Sequence, residues 1–175
     1  METVYHKFKD HKIQDDTQLL VIGTFNPDVK GNGADFFYGR PRNYLWKLLP
    51  LCFGYENLKE KPKEEKLKFI HEMKIDFIDL IDSVQVENGQ EENYEDQYID
   101  CRVATWNNII DLIKCHPSIK KVVFTRRTFA GIQQIKTRIN EIKTFCDESD
   151  IPFTFLVTPA RFYSSKKLSE WKNSF

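Results

Sequence analysis

The chain has 175 residues, 41% apolar and 14% aromatic, enough for one packed core and a single domain over 1–175. Its 26 basic and 26 acidic residues cancel, so no global field steers it to nucleic acid or an anionic membrane, and any such role must rest on a local patch. The polar N-terminus, METVYHKFKDHK, does not read as a signal peptide, and no apolar run approaches the roughly 20 residues of a membrane helix.

Strand and helix signals alternate along the chain. An apolar strand at 18–23 runs into the polar turn Thr24-Phe25-Asn26-Pro27-Asp28, then a glycine-rich loop and an aromatic cluster. Residues 43–49 read as a helix ending near Pro50, and 62–74 as an amphipathic helix with proline in its first turn. DFIDLI, 76–81, reads as a second strand. The segment 83–100 is long, polar and acidic, with a turn signal at Asn88-Gly89. A helix is expected at 105–115 with Thr105 as its cap, then a third strand at 119–125. A long helix follows at 128–146, with apolar spacing at Phe129, Ile132, Ile135 and Ile139, then a fourth strand at 152–157 and a short helix at 164–172. This alternation predicts an α/β fold, a three-layer αβα sandwich around a central, mostly parallel four-stranded sheet.

Cys52, Cys101, Cys115 and Cys146 lack metal spacing and read as free thiols of a reducing compartment, so the cytoplasm is expected. His6, His11, His71 and His116 are dispersed, and neither a metal nor another cofactor is expected.

In a parallel sheet the loops after the strands share one edge, where open α/β sheets build their sites. Three of those four loops carry cations: Lys30, Arg40, Arg42 and Lys47; Arg126 and Arg127; Arg161, Lys166 and Lys167. The remaining loop is acidic, with Glu87, Glu91, Glu92, Glu95 and Asp96. A basic, phosphate-facing edge beside an acidic flap is expected, although charges fall in loops in any case. Aromatic residues follow the same distribution: Phe25, Phe36, Phe37 and Tyr38 after the first strand, Phe162 and Tyr163 after the fourth. Base stacking on such a face is worth about 1–3 kcal/mol. Of Phe36 and Phe37, at least one is expected in the core.

Tyr38-Gly39-Arg40-Pro41-Arg42-Asn43-Tyr44-Leu45-Trp46 resembles the aromatic-Gly/Ala-x-Pro-x-Asn-x-Phe-Trp segment of the uracil-DNA glycosylase superfamily, nearest its mismatch-specific uracil/thymine and hypoxanthine branches. Leu45 stands where Phe is usual. Leu156-Val157-Thr158-Pro159-Ala160-Arg161, before a short helix with Trp171, is similar to the second motif, a strand ending in a Ser-Pro-Ala-like turn. The first turn, Gly23-Thr24-Phe25-Asn26-Pro27, is one residue longer than the usual Gly-x-Asn-Pro. The second motif has Thr158 for Ser and lacks the His of classical members. His116-Pro117-Ser118 imitates that His signature but precedes the third strand, at the opposite edge.

The resemblance implies a monofunctional DNA N-glycosylase for base-excision repair, acting on uracil, hypoxanthine or a similar deaminated or mismatched base. DNA is the implied partner, without membrane or metal, and a monomer is expected. Asn26 would position water or hold the base carbonyl. Asp28 is either a general base or an Asx-turn acceptor. Asn43 either reads the base edge or caps the following helix. Phe25, Phe37, Tyr38 and Thr158 would contact the base, and Arg40, Arg42, Arg161 and Lys166 the phosphates. Phe162 or Tyr163 would wedge into the duplex. The alternatives are an inactive or differently specialised member binding nucleic acid or a nucleotide, an α/β enzyme for a small phosphorylated molecule, and an interaction module docking through the acidic segment. No GxxxxGK[ST], GxGxxG or GxSxG favours the second of these.

Overall fold

Leu19–Gly23 is buried at all five positions because helices cover both faces of the sheet in which it lies. The computed structural model describes residues 1–175. Its elements in chain order are β1 (Glu2–Tyr5), β2 (Leu19–Gly23), α1 (Leu45–Cys52), α2 (Lys63–Met73), β3 (Ile75–Asp79) and β4 (Ile81–Val86). Then come α3 (Asp96–Ile99), a 3-10 turn (Asp100–Arg102), β5 (Val103–Trp106), α4 (Ile109–Cys115), β6 (Lys121–Phe124), α5 (Gln133–Glu148), β7 (Phe153–Phe155) and α6 (Ser165–Lys172).

The four-stranded sheet has the order β3-β2-β6-β7, and every pair in it is parallel. Side chains alternate across β2, so Leu20 and Ile22 pack with Ile135, Ile139 and Ile142 of α5. Leu19 and Val21 face the other way, against Trp46 of α1, Phe69 of α2 and Trp171 of α6. The α/β fold with a parallel four-stranded sheet flanked by helices is thus the expected one.

Several boundaries differ, each for a physical reason. DFIDLI is not one strand. The chain leaves the parallel sheet at Asp79 and enters a second, antiparallel sheet, β1-β4-β5, at Ile81. Leu80 N–H and Ile81 N–H turn to the carbonyls of Gly23 and Thr24, at 3.0 and 3.1 Å. The polar segment from 83 therefore begins as strand, and β1 was silent in the sequence. Thr105 caps no helix: it lies in β5, where its Oγ1 meets Ser83 Oγ at 2.5 Å, and Asn108 caps α4 instead.

Pro50 lies inside α1, which runs on to Cys52. Having no N–H, Pro50 leaves the Trp46 carbonyl free, and Leu58 N–H takes it at 2.8 Å. Helix α5 starts at Gln133, not 128, because its first amides are bound by a distant side chain. The Asp100 carboxylate accepts from Gln134 N–H at 3.0 Å and Ile135 N–H at 2.7 Å.

Burial pushes the Cys52 and Cys146 thiols up to about 11, whereas Cys101 and Cys115 are exposed. A thiol held protonated is a poor nucleophile. Iodoacetamide at pH 8 should therefore add two groups rapidly to the native protein, at Cys101 and Cys115, as read by intact mass and peptide mapping. Early labelling of Cys146 would contradict its place on the buried face of α5. No helix is long and apolar enough to cross a membrane.

Candidate active site

Parallel register sets Asp79 beside Gly23 at the carboxyl ends of β3 and β2. On the other flank Thr125 N–H donates to Ile22 O at 3.1 Å, so Thr125 lies just beyond β6. A Cβ at Gly23 would fall 2.2 Å from Asp79 Oδ1 and 2.5 Å from Tyr38 Oη. Glycine is what lets the carboxylate and the phenol close over the turn. Tyr38 has left-handed backbone, φ 57°, and its hydroxyl lies 3.1 Å from Thr125 Oγ1. Burial, then the Asp79 charge, holds that phenol well above its ordinary range, so it stays neutral.

Asp79 is fixed from the N-terminal segment. Phe8 N–H donates to His6 Nδ1 at 3.1 Å, which leaves Nε2 to donate to Asp79 Oδ2 at 2.8 Å. Both residues are buried, at 3% and 5% exposure, so the pair is a fixed element of the strand edge. The segment carrying His6 is itself clamped. His6 N–H donates to Asp82 O at 2.7 Å, Lys7 N–H to Asn26 O and Asp28 N–H to Tyr5 O, both at 2.8 Å.

Asn26 is buried in the turn after β2. Its Oδ1 accepts from Asn32 Nδ2 at 2.6 Å, and that nitrogen also reaches Pro27 O at 2.7 Å. The acceptor of Asn26 is therefore committed, and its amide nitrogen is the end open to a ligand. Asp28 is exposed and shares a groove along β1 with Glu2, Tyr5, Lys30, Glu91 and Glu92, away from the Asp79–Tyr38 cluster. Asn43 Oδ1 accepts from Leu45 N–H at 3.0 Å, a local bond at the start of α1.

Phe37 does not offer a stacking face. It is 3% exposed and lies nearly parallel to Phe77, centroids 5.9 Å apart, with His6 at 5.4 Å. Phe36 is core as well. Two adjacent rings are buried because His6, His11 and Phe77 leave them no route to solvent. Phe25 is half-buried beside His6, centroids 6.0 Å apart, and Tyr38 is half-buried. Thr158 is exposed and its Oγ1 accepts from Ala160 N–H at 3.2 Å. The loops after β2 and β7 are laced together: Tyr44 N–H donates to Pro159 O at 2.9 Å and Arg161 N–H to Arg42 O at 2.8 Å. This brings Asn43, Arg42, Thr158 and Arg161 to one place.

The cationic edge is only partly free. Arg40 lays its guanidinium on Tyr94, 3.5 Å from the ring centroid, and one terminal nitrogen is buried without a partner. Burial lowers its proton affinity, partly offset by Tyr94 and Asp79. Arg126 pairs with Asp96, and Arg127 Nη1 reaches Glu170 Oε2 at 2.7 Å. Lys167 is buried and donates to the carbonyls of Phe162 at 2.7 Å and Ala160 at 3.2 Å, bracing the last loop. Arg42, Arg161 and Lys166 remain exposed, and Phe162 stands 59% exposed beside them.

His6, Asp79 and Thr125 were missed by sequence reasoning. Asp79 did carry a signal, an acid closing an apolar strand at the site edge. His6 carried none, for its partner is 73 residues away.

No family model matches the chain, and no curated protein does. Among solved structures it is similar to the solution NMR structure of a proposed uracil DNA glycosylase from Methanosarcina acetivorans. The two share 22% identity and a TM-score of 0.62, over 92% of this chain and 90% of that one. At this identity the likeness carries the fold.

Proposed function

We propose that the chain is a DNA glycosylase that removes a deaminated or mismatched base by hydrolysing the N-glycosidic bond. The observation that carries this reading is the buried Asp79 carboxylate, fixed by His6 beside Gly23 and Tyr38 where the strands end. The likeness in fold to the Methanosarcina protein supports it. Uracil and hypoxanthine present a ring N–H next to a carbonyl, whereas cytosine and adenine present a lone pair at that position. A fixed carboxylate accepts from the first pair and repels the second, so Asp79 selects a deaminated base. Asn26, through its amide nitrogen, donates to the base carbonyl and stabilises the charge that builds there as the bond to the sugar breaks. Tyr38 is the aromatic face at the site, and Arg42, Arg161 and Lys166 meet the phosphates. Phe162, being exposed, fills the stack when the base leaves.

A second reading, a silent member that binds nucleic acid or a nucleotide, draws on Asp28. That carboxylate lines a groove along β1 among other acids, an arrangement that favours a binding role for this turn over general-base chemistry by Asp28.

Base release from oligonucleotides carrying uracil, hypoxanthine, xanthine or a G·T mismatch, scored by alkaline cleavage, separates the two. Release of one base is expected. Salt-sensitive binding with no release from any substrate would leave the silent reading. Asn26→Ala should lower release about 100-fold, the scale of a lost transition-state donor, while leaving DNA affinity nearly unchanged. Full activity in that variant would remove Asn26 from the chemistry.

A further inference from the structure

The acidic flap lies across the cationic edge and is fastened on both sides. Glu92 Oε1 accepts from Gly31 N–H at 3.0 Å, Tyr94 lies under Arg40, and Asp100 holds the first amides of α5. Between these anchors Asp96 reaches Arg126. Arg126 is aimed from behind, since its Nε donates to Thr128 O at 2.7 Å, leaving the terminal nitrogens to face the flap. Strands β6 and β7 are parallel neighbours, so the loops bearing Arg126 and Arg161 leave the same edge side by side. Arg161 is held there by left-handed backbone, φ 77°, and by its bond to Arg42 O, and its side chain is exposed and unpaired. Burial and then the Arg161 charge lower the proton affinity of Arg126, and Glu95 raises it. Of the two arginines only Arg126 has a carboxylate in contact, Asp96, with Glu95 acting on it as well, whereas Arg161 has none.

We propose that Arg126 and Arg161 form a seat for a phosphodiester of a nucleic acid, and that the Asp96 carboxylate occupies it as a resident counterion which the phosphate must displace. This deepens the nucleic-acid reading and rests on it only for the identity of the anion. It also bears on the neutral net charge of the chain. The flap supplies negative charge where the ligand would, so the edge is screened until a polyanion competes for it.

Each phosphate neutralised by an arginine frees a condensed cation of the nucleic acid, but a displaced Asp96 carboxylate takes a cation up again, so that exchange adds little to the salt slope, whereas binding at an unmasked arginine adds its full share. The Asp96→Asn variant should therefore bind a single-stranded oligonucleotide about 5- to 10-fold more tightly at low salt. Its log–log salt slope should be steeper by about one, the contribution of one newly counted cation. Arg161→Gln should weaken binding and flatten the slope by a similar step, whereas Arg126→Gln should weaken binding and leave the slope nearly unchanged, because Arg126 is already neutralised by Asp96. The same titrations with inorganic phosphate are read by heteronuclear NMR at the arginine side chains, in which Asp96→Asn should also bind more tightly. An Asp96→Asn protein that folds but keeps the wild-type affinity and slope overturns the seat, because a purely structural Asp96 alters melting and not ion release. Tighter phosphate binding without tighter oligonucleotide binding overturns the phosphodiester assignment. Base release plays no part in either readout, so the glycosylase reading and this one fail separately.

Discussion

Asp79→Ala is expected to abolish most base release and to lower stability together. In the wild-type protein His6 is 3% exposed and its Nε2 proton has one acceptor, Asp79 Oδ2 at 2.8 Å. Removing the carboxylate leaves that donor buried and unpaired, at about 1–3 kcal/mol. For a chain of this size that is a fall in Tm of roughly 4–8 °C by calorimetry, taking 2 kcal/mol. The loss in rate should be larger than stability explains, at least about 100-fold, because the anionic acceptor at the base edge is gone. Asp79→Asn separates the two effects. Its amide keeps the shape and still accepts from His6, so melting should move little. An amide also puts a donor at Oδ1's position, which meets the lone pair of an undeaminated base and no longer accepts from the ring N–H of a deaminated one. Slowed release with weakened preference for the deaminated base is the expected pattern. Wild-type rate and preference in Asp79→Asn would confine Asp79 to holding His6.

The parallel sheet was legible because burial on both faces writes a continuous apolar run, as in Leu19–Gly23. The edge was legible too, since Asn26, Tyr38 and the arginines fall after strands whatever their exact ends. What local sequence could not carry is partnership at a distance. DFIDLI has one composition but serves two sheets, and only the carbonyls of Gly23 and Thr24 decide where it breaks. The start of α5 is fixed by Asp100, and the site carboxylate by His6. Phe37 misled for a related reason. An aromatic residue in a loop after a strand reads as a ligand platform, but here the loop folds inward onto Phe77. The flap was legible as composition but not in its contacts. Its acids read as a flap beside the basic edge, but nothing in them marked that Glu92, Tyr94 and Asp96 each touch the opposing loops.

Phe77 joins the core to the site, and its replacement carries the largest expected loss of stability. It is 1% exposed, with ring centroids of Trp46 at 5.4 Å, Tyr38 at 5.7 Å, Phe37 at 5.9 Å and Phe36 at 6.1 Å. The ring sits in the middle of β3, so none of these neighbours can collapse into the space without moving the sheet. Phe77→Ala should cost about 3–5 kcal/mol, a large share of the roughly 5–15 kcal/mol that holds a domain together. The corresponding fall in Tm is about 6–20 °C. Phe77→Leu keeps most of the volume and should fold, but it removes the ring that packs, tilted by 58°, against Tyr38. The 3.1 Å contact between Tyr38 and Thr125 then loses its support from below. Base release by Phe77→Leu should accordingly fall further than its melting temperature does, whereas binding through Arg42, Arg161 and Lys166 should not change. Equal activity in Phe77→Leu and wild type would mean that Tyr38 is positioned by Gly23 and Thr125 alone. A Phe77→Ala protein melting within 2 °C of wild type, about the shift for 1 kcal/mol or less, would contradict the packing of this whole face of the sheet.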